Sequence, residues 1–306
     1  MIRLGLCCKF HTAPVRFRTT TAKWLLSRSR EEALARLAGL CLENARALQQ
    51  AISFCASHGI GGFRINSQIL PVKTHPEAGY DVADLPDGEG IVAAFTQAGE
   101  LARDLGVRLT FHPDQFVLLN SPKEDVVERA IADLVYQTEV AEWVGADVIN
   151  IHGGGVYGDK PGALARLART IEHLPPSVRQ RLTLENDDRS YTPKDLLPVC
   201  REAGIPLVYD VHHHRCLPDG LSVAEASQAA LATWNREPLF HISSPKAGWG
   251  DTDSKPHHDY IDLADVPNEW RDVDLTIEVE AKAKEDAILK LRGELAGRGW
   301  QFTPLG

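Results

Sequence analysis

The first thirty residues contain no aspartate or glutamate, yet they hold Arg3, Lys9, Arg16, Arg18, Lys23, Arg28 and Arg30, with Phe10, Phe17 and Trp24 among them. An Arg-rich, acid-poor start is also the composition of an organellar presequence. The apolar "IRLGLCC" at its head instead predicts the first strand of a core, which a removable peptide does not need. CxxC spacing is missing too: Cys7, Cys8, Cys41, Cys55, Cys200 and Cys216 are scattered, and no apolar signal-peptide run precedes them. Both absences fit free thiols in a reducing cytoplasm. No stretch approaches the roughly 20 apolar residues of a membrane span. No G-x-G-x-x-G follows an apolar run, "GGGVYGDK" lacks the GK[ST] of a phosphate-binding loop, and "HGGG" has no G-x-S-x-G nucleophile to serve. The net charge of −9 argues mildly against a nucleic-acid binder.

What the 306 residues do contain is alternation. Strand-like apolar runs ("IRLGLCC", "GGFRIN", "VRLTF", "ADVINI", "RLTLE", "PLVYD", "PLFHI", "DLTIEVE") are followed by helical patterns over about 31–57, 89–105, 122–144, 161–173, 193–203, 222–232 and 283–297. Only the seventh run leads into a polar loop. Ser121 and Glu124 around Pro122, Thr192 with Asp195, and Ser222 with Glu225 predict capped helix starts. Eight strand–helix units without a break in composition predict an α/β fold, a (β/α)8 TIM barrel in a single domain over 1–306. An open doubly wound sheet is the alternative.

Polar residues recur with those units. His112, His152, Glu185, Asp210, His241 and Glu280 stand at or near the ends of strands three to eight, 25 to 40 residues apart. In a closed barrel the C-terminal strand ends share one mouth, where active sites lie. Singly, each would be an ordinary turn or cap residue; six in succession are not, because turns favour Gly, Asn and Ser. Carboxylates so placed need positive compensation, and mixed His and carboxylate ligands suit Zn²⁺, Mn²⁺ or Fe²⁺ over Ca²⁺ or Mg²⁺. In "YDVHHHRC" Asp210 is the expected ligand, and His213 can turn toward a further metal, with His212 and His214 in support. His58 and His173 are expected at helix C-termini.

The strings "LENDDRSYTPKDLLPVC…GIPLVYDVHHHRC", "FRINSQILP…THP", "FHPDQFVLLNSPKEDVVERAI", "IHGGGVYGDK", "FHISSPK" and "IEVEAKAKE" resemble the UV damage endonuclease family, from the first strand to the last helix. The family is similar to endonuclease IV and the xylose-isomerase-like barrels, with several divalent metals at the mouth. The resemblance implies that His112, His152 and Glu185 hold one ion, that Glu185 bridges to a second held by Asp210, His241 and Glu280, and that His213 with His257 makes a third site. His258, adjacent, is the alternative ligand. It implies two or three divalent ions, Mn²⁺ first, with Zn²⁺ or Fe²⁺ as alternatives, and Glu185 as the catalytic carboxylate, with Lys160 reaching a phosphate oxygen.

The implied reaction is incision of damaged double-stranded DNA 5′ to a UV photoproduct, leaving a 3′-hydroxyl, by a monomer without a membrane or obligate protein partner. Family members insert a Gln–Tyr pair beside the lesion; here it is Gln115-Phe116, which keeps the stacking face and loses the hydroxyl. Phe10, Arg16 and Arg18 are the other expected DNA contacts. Two departures bear on the choice of lesion: "LCCKFHTAPVRFR" replaces a Tyr- and Asn-containing segment, and Ser67-Gln68 stands where some relatives have a metal-side His. Three divalent ions would add about six positive charges at the mouth, so local field and net charge can differ in sign. A sugar isomerase or epimerase, an endonuclease of the endonuclease IV type acting at abasic sites, and a catalytically dead damage-binding protein are the other readings.

Overall fold

The apolar runs become strands that pair strictly in chain order. β1 (Ile2–Cys7), β2 (Gly62–Ile65), β3 (Arg108–Phe111), β4 (Val148–His152), β5 (Leu182–Glu185), β6 (Leu207–Asp210), β7 (Leu239–Ile242) and β8 (Leu275–Val279) form a closed parallel barrel in which β8 returns to β1. It is a TIM barrel, seen in a computed structural model that describes all 306 residues. Helices cover the strands: α1 (Ala22–Leu26) and α2 (Arg30–Ser57) after β1, α3 (Gly88–Asp104) after β2, and α4 (Glu124–Val144) after β3. α5 (Lys160–Glu172) and α6 (Pro176–Arg179) follow β4, and α7 (Pro193–Ala203) follows β5. α8 (Val211–Cys216) and α9 (Val223–Leu231) follow β6, and α10 (Lys284–Gly297) follows β8. Between β7 and β8 there are only two 3₁₀ turns, Leu263–Asp265 and Asn268–Trp270, because the Gly-, Pro- and Asp-rich 245–262 cannot sustain a helix.

Two of the three expected caps form. Thr192 and Ser222 each accept from the backbone N–H three residues on, and Asp195 and Glu225 return the bond. The third does not: α4 begins at Glu124 with Lys123 as an uncapped N-cap, and the Ser121 hydroxyl instead accepts from Lys123 N at 3.1 Å. His58 and His173 close α2 and α5, each ring bonded to the carbonyl four residues back.

One large core cluster fills the space between barrel and helices, while buried polar side chains bond across the barrel itself. Gly5, in mid-strand, allows this. A Cβ there would stand 3.1 Å from Glu278 Cγ, so the missing side chain gives Glu278 its room inside. The six cysteines are free, and no helix is long and apolar enough to cross a membrane.

Candidate metal centre

Barrel closure brings the strand-end residues together. Three clusters of ligand atoms form, each with its atoms within 4.8 Å of one another: His112, His152 and Glu185; Glu185, Asp210 and His213; Asp210, His241 and Glu280. Glu185 and Asp210 each belong to two of them, so the clusters make one continuous centre. His257 stands at its edge, Nδ1 3.7 Å from Glu280 Oε2 and its ring centroid 6.2 Å from that of His213. His258 turns away, exposed, with its Nδ1 accepting from Tyr260 N.

Several of these candidate ligands are oriented by a residue behind them. His112 Nδ1 donates to the Pro113 carbonyl, leaving Nε2 2.9 Å from Glu185 Oε2. Asn150 Nδ2 donates to that same carboxylate oxygen at 2.5 Å and is itself fixed by Thr183. Asn186 binds the backbone of Asp210 through both N–H and C=O, tying the end of β5 to β6. Asp210 caps α8 by accepting from His213 N, so the strand turns at once into the helix that swings His213 back to the centre. His213 Nδ1 meets the Asn186 carbonyl at 3.0 Å. His241 Nε2 lies 3.0 Å from Glu278 Oε2, and since a carboxylate only accepts, the imidazole must donate there and present Nδ1 to the cavity. The turn "HGGG" after His152 is shaped by packing: a Cβ on Gly153 would meet the Tyr191 ring at 2.7 Å and one on Gly154, at φ +85°, Asn120 Oδ1 at 2.3 Å.

Beneath this centre lies a cation that nothing in the sequence pattern singles out. Arg64, on β2 and 7% exposed, donates Nε to Glu278 and Nη2 to Glu280, both at 2.6 Å. Glu278 also accepts from the Thr110 hydroxyl. Burial would raise the Glu278 carboxyl, but Arg64, with His241 and Thr110, holds it down to about 2. Glu280 is likewise held well below the usual carboxylate range against burial, by Arg64 and then His241. Glu185 stays ionised against burial because His241, His152 and His112 surround it.

Do these residues suit a cation? Glu185 Oε1, Asp210 Oδ2 and His241 Nδ1 are buried without any hydrogen-bond partner. Orphaned atoms of this kind cost free energy unless something binds them, and all three belong to the clusters. In the chain alone, protons take up the excess negative charge. Burial lowers His241, but Glu185 overrides it and pushes the imidazole up to about 10; His213 is raised well above its ordinary value, chiefly by Asp210 against burial. His241 is therefore protonated at neutral pH and His213 is shifted in the same direction, whereas a metal ligand must be neutral. Divalent-cation binding is expected to release about one to two protons per chain at pH 7 and to tighten as pH rises. Calorimetric titration of Mn²⁺ in buffers of differing ionisation enthalpy measures that number; zero release would place the metal elsewhere.

Other expected contacts divide. Gln115 and Phe116 lie exposed on the loop after His112, and Phe116, at 72%, is the most exposed large apolar side chain of the molecule. Arg16 and Arg18 are exposed on the segment leaving β1 at the mouth, Arg16 bonding the Ala13 and Val15 carbonyls and Arg18 near Glu43. Phe10 is not presented to solvent. It is 8% exposed and packs on Phe54 and Phe63 at 5.2 and 5.9 Å, as part of the core. Lys160 is not free for a phosphate either: at the start of α5 it pairs with Asp195 Oδ2 at 2.5 Å and sits over the Tyr191 ring. Arg3 is bound at the opposite end of the barrel by Glu237 and the Gly106 carbonyl. His214 is structural, between Tyr209 and Asp219.

The chain is similar over nearly its whole length to known proteins. A UV DNA damage endonuclease of Deinococcus radiodurans is 37% identical over 306 aligned residues, 95% of this chain and 94% of that protein. The crystal structure of SacUVDE superposes with a TM-score of 0.86 at 26% identity, covering 98% of this chain and all of the other. Endonuclease IV from Thermus thermophilus (14% identity, TM-score 0.58) and a D-psicose 3-epimerase from Clostridium cellulolyticum (12%, 0.55) share the fold alone. The model of the UV-endonuclease UvdE family matches residues 2–300, and with these relatives it shows that the chain belongs to that family.

Proposed function

We propose that the chain cuts double-stranded DNA on the 5′ side of UV photoproducts and leaves a 3′-hydroxyl, using two or three divalent ions, Mn²⁺ first and Zn²⁺ or Fe²⁺ as alternatives. Its family relatives are named for an endonuclease at UV damage. The observation that carries the reading to DNA is Phe116: an aromatic ring 72% exposed, four residues from the ligand His112, has no use in a site that closes around a small sugar. His112, His152 and Glu185 would hold one ion, Asp210, His241 and Glu280 a second with Glu185 between them, and His213 with His257 a third. Bound there, such ions activate water and draw charge from phosphoryl oxygens. The chain itself supplies the orientation. Asn150 fixes Glu185, Asn186 fixes Asp210, and Glu278 sets which nitrogen of His241 faces the cavity. A monomer in a reducing cytoplasm suits six unpaired thiols.

Nicking of supercoiled plasmid before and after irradiation, with Mn²⁺ or EDTA, tests the reading. Irradiated DNA should be cut in preference, only with metal, and the ends should be extended by a polymerase. Equal nicking of both plasmids would overturn it, and selective cutting of an abasic duplex would favour the endonuclease IV type of activity.

Lesion reading has its own expected result. Phe116→Ala should reduce discrimination between irradiated and intact duplex by about 1–3 kcal/mol, the value of one stacked base, while Phe116→Tyr should be nearly neutral. Replacing Arg16 and Arg18 with Ala should weaken both duplexes alike and flatten the salt dependence, because phosphate contacts position without specifying. Binding titrations at several salt concentrations separate the two; unchanged discrimination in Phe116→Ala would remove the wedge.

A further inference from the structure

Between the ends of β1 and β8, beside the metal centre, opens a cavity of about 420 Å³. Arg64, His257 and Glu280 stand on one side, toward the candidate metal centre, and Lys9, Lys282 and Lys284 supply the other charged groups of the lining. The segment that carries Glu280 into α10 is stitched to the neighbouring loop, Lys282 N donating to the His258 carbonyl at 3.1 Å and Ala283 N to the Asp259 carbonyl at 3.0 Å. Lys282 and Lys284 are therefore presented by backbone tied to the residue next to His257.

Two backbone angles in the same wall are out of the ordinary. Lys284 has φ +51° and Cys8 φ +60°, a region costly for a residue with a Cβ. Glycine would hold that backbone without strain, so a lysine at 284 needs its reason in the side chain. That side chain is half-buried and has no carboxylate to answer it. Lys9, Lys282 and Lys284 form no ion pair, so three unanswered ammonium groups share one wall, whereas Lys160 at the neighbouring turn is answered by Asp195. Arg64 in the same wall is already matched by Glu278 and Glu280. The cavity thus holds surplus positive charge next to residues that suit a divalent cation, which is the environment an internucleotide phosphate requires.

We propose that Lys284, flanked by Lys9 and Lys282, contacts a backbone phosphate of the bound DNA strand beside the metal centre. The inference rests on the DNA-cleaving reading above and names where that strand is held. It takes the role first expected of Lys160, whose ammonium is neutralised by Asp195. Held at positive φ, the ammonium offers up to three hydrogen bonds to non-bridging oxygens without a carboxylate competing for them.

Lys284→Gly tests this with the Mn²⁺-loaded enzyme, because glycine relieves the backbone while removing the charge. The variant should melt at the same temperature as the parent or higher and carry the same metal content. Its kcat/KM on irradiated duplex should fall roughly ten- to a hundredfold, the scale of one hydrogen bond to a charged group. The slope of log affinity against log salt should lessen by about one, and Lys284→Arg should recover part of both losses. Parent-like incision and salt slope in Lys284→Gly would overturn the proposal and leave the DNA-cleaving reading standing. A parent that does not cut irradiated DNA would overturn that reading, and the salt slope on duplex DNA would still decide the phosphate contact. If Lys284→Gly melts well below the parent, the side chain is a structural one and the proposal falls.

Discussion

Glu185→Gln is expected to lose incision by at least about a thousandfold, the scale seen when one member of a catalytic unit is removed, while the protein stays folded. The carboxylate is 1% exposed and shared by two of the three ligand clusters. Its Oε2 accepts from Asn150 Nδ2, a bond the amide oxygen of glutamine can keep, so packing has no reason to fail. What cannot be kept is the charge. Oε1 lies 3.4 Å from His152 Nε2 and 3.3 Å from His213 Nδ1 and has no hydrogen bond of its own. An amide –NH₂ in that place would point a donor at the position where a cation is expected, and its nitrogen offers no lone pair to hold one. Elemental analysis should therefore show at least one equivalent of metal fewer than in the parent, with an unchanged melting profile for the metal-free proteins. A fully loaded and active Glu185→Gln protein would move the centre elsewhere.

Much of the barrel was legible because its signals are local. Alternating strand and helix patterns depend on neighbours within one element, and so do the Thr192 and Ser222 caps. The strand-end His and carboxylate residues were legible because a closed barrel carries every C-terminal strand end to one mouth. What was missed or misplaced depends on partners remote in sequence. Lys160 is neutralised by Asp195, which belongs to the next strand–helix unit. Phe10 looks like a DNA contact from its cationic neighbours, yet the side it faces is set by Phe54 and Phe63. Glu278 was within reach: two residues before Glu280, which directly follows the end of β8, it shares that residue's inward face. Arg64 offered no such signal. In "GGFRIN" an arginine inside a four-residue strand is as easily solvated as buried, and only the barrel shows that its fork meets two glutamates from the far end of the chain.

Arg64→Met should accordingly be the most destabilising change at the mouth that replaces no member of a ligand cluster. It leaves Glu278 and Glu280 buried with their main positive partner gone, and breaking a buried pair in this way costs about 3–5 kcal/mol. Metal should restore only part of the loss. Glu280 belongs to a cluster that suits a cation, whereas Glu278 points to Thr110 and His241 within the barrel. Adding Glu278→Gln to Arg64→Met should therefore recover most of the remainder. The pH dependence carries a definite sign. Glu278 in the parent is depressed from an ordinary 4.5 to about 2, so its contribution is complete above about pH 4.5 and disappears as pH falls through 2. Without Arg64 that depression shrinks, so parent and variant should differ most in stability above pH 4.5 and converge in acid. Thermal unfolding of both metal-free proteins between pH 2 and 8 measures the difference. A gap that stays constant across that range would mean that Arg64 fills space beneath the metal centre rather than holding its carboxylates ionised.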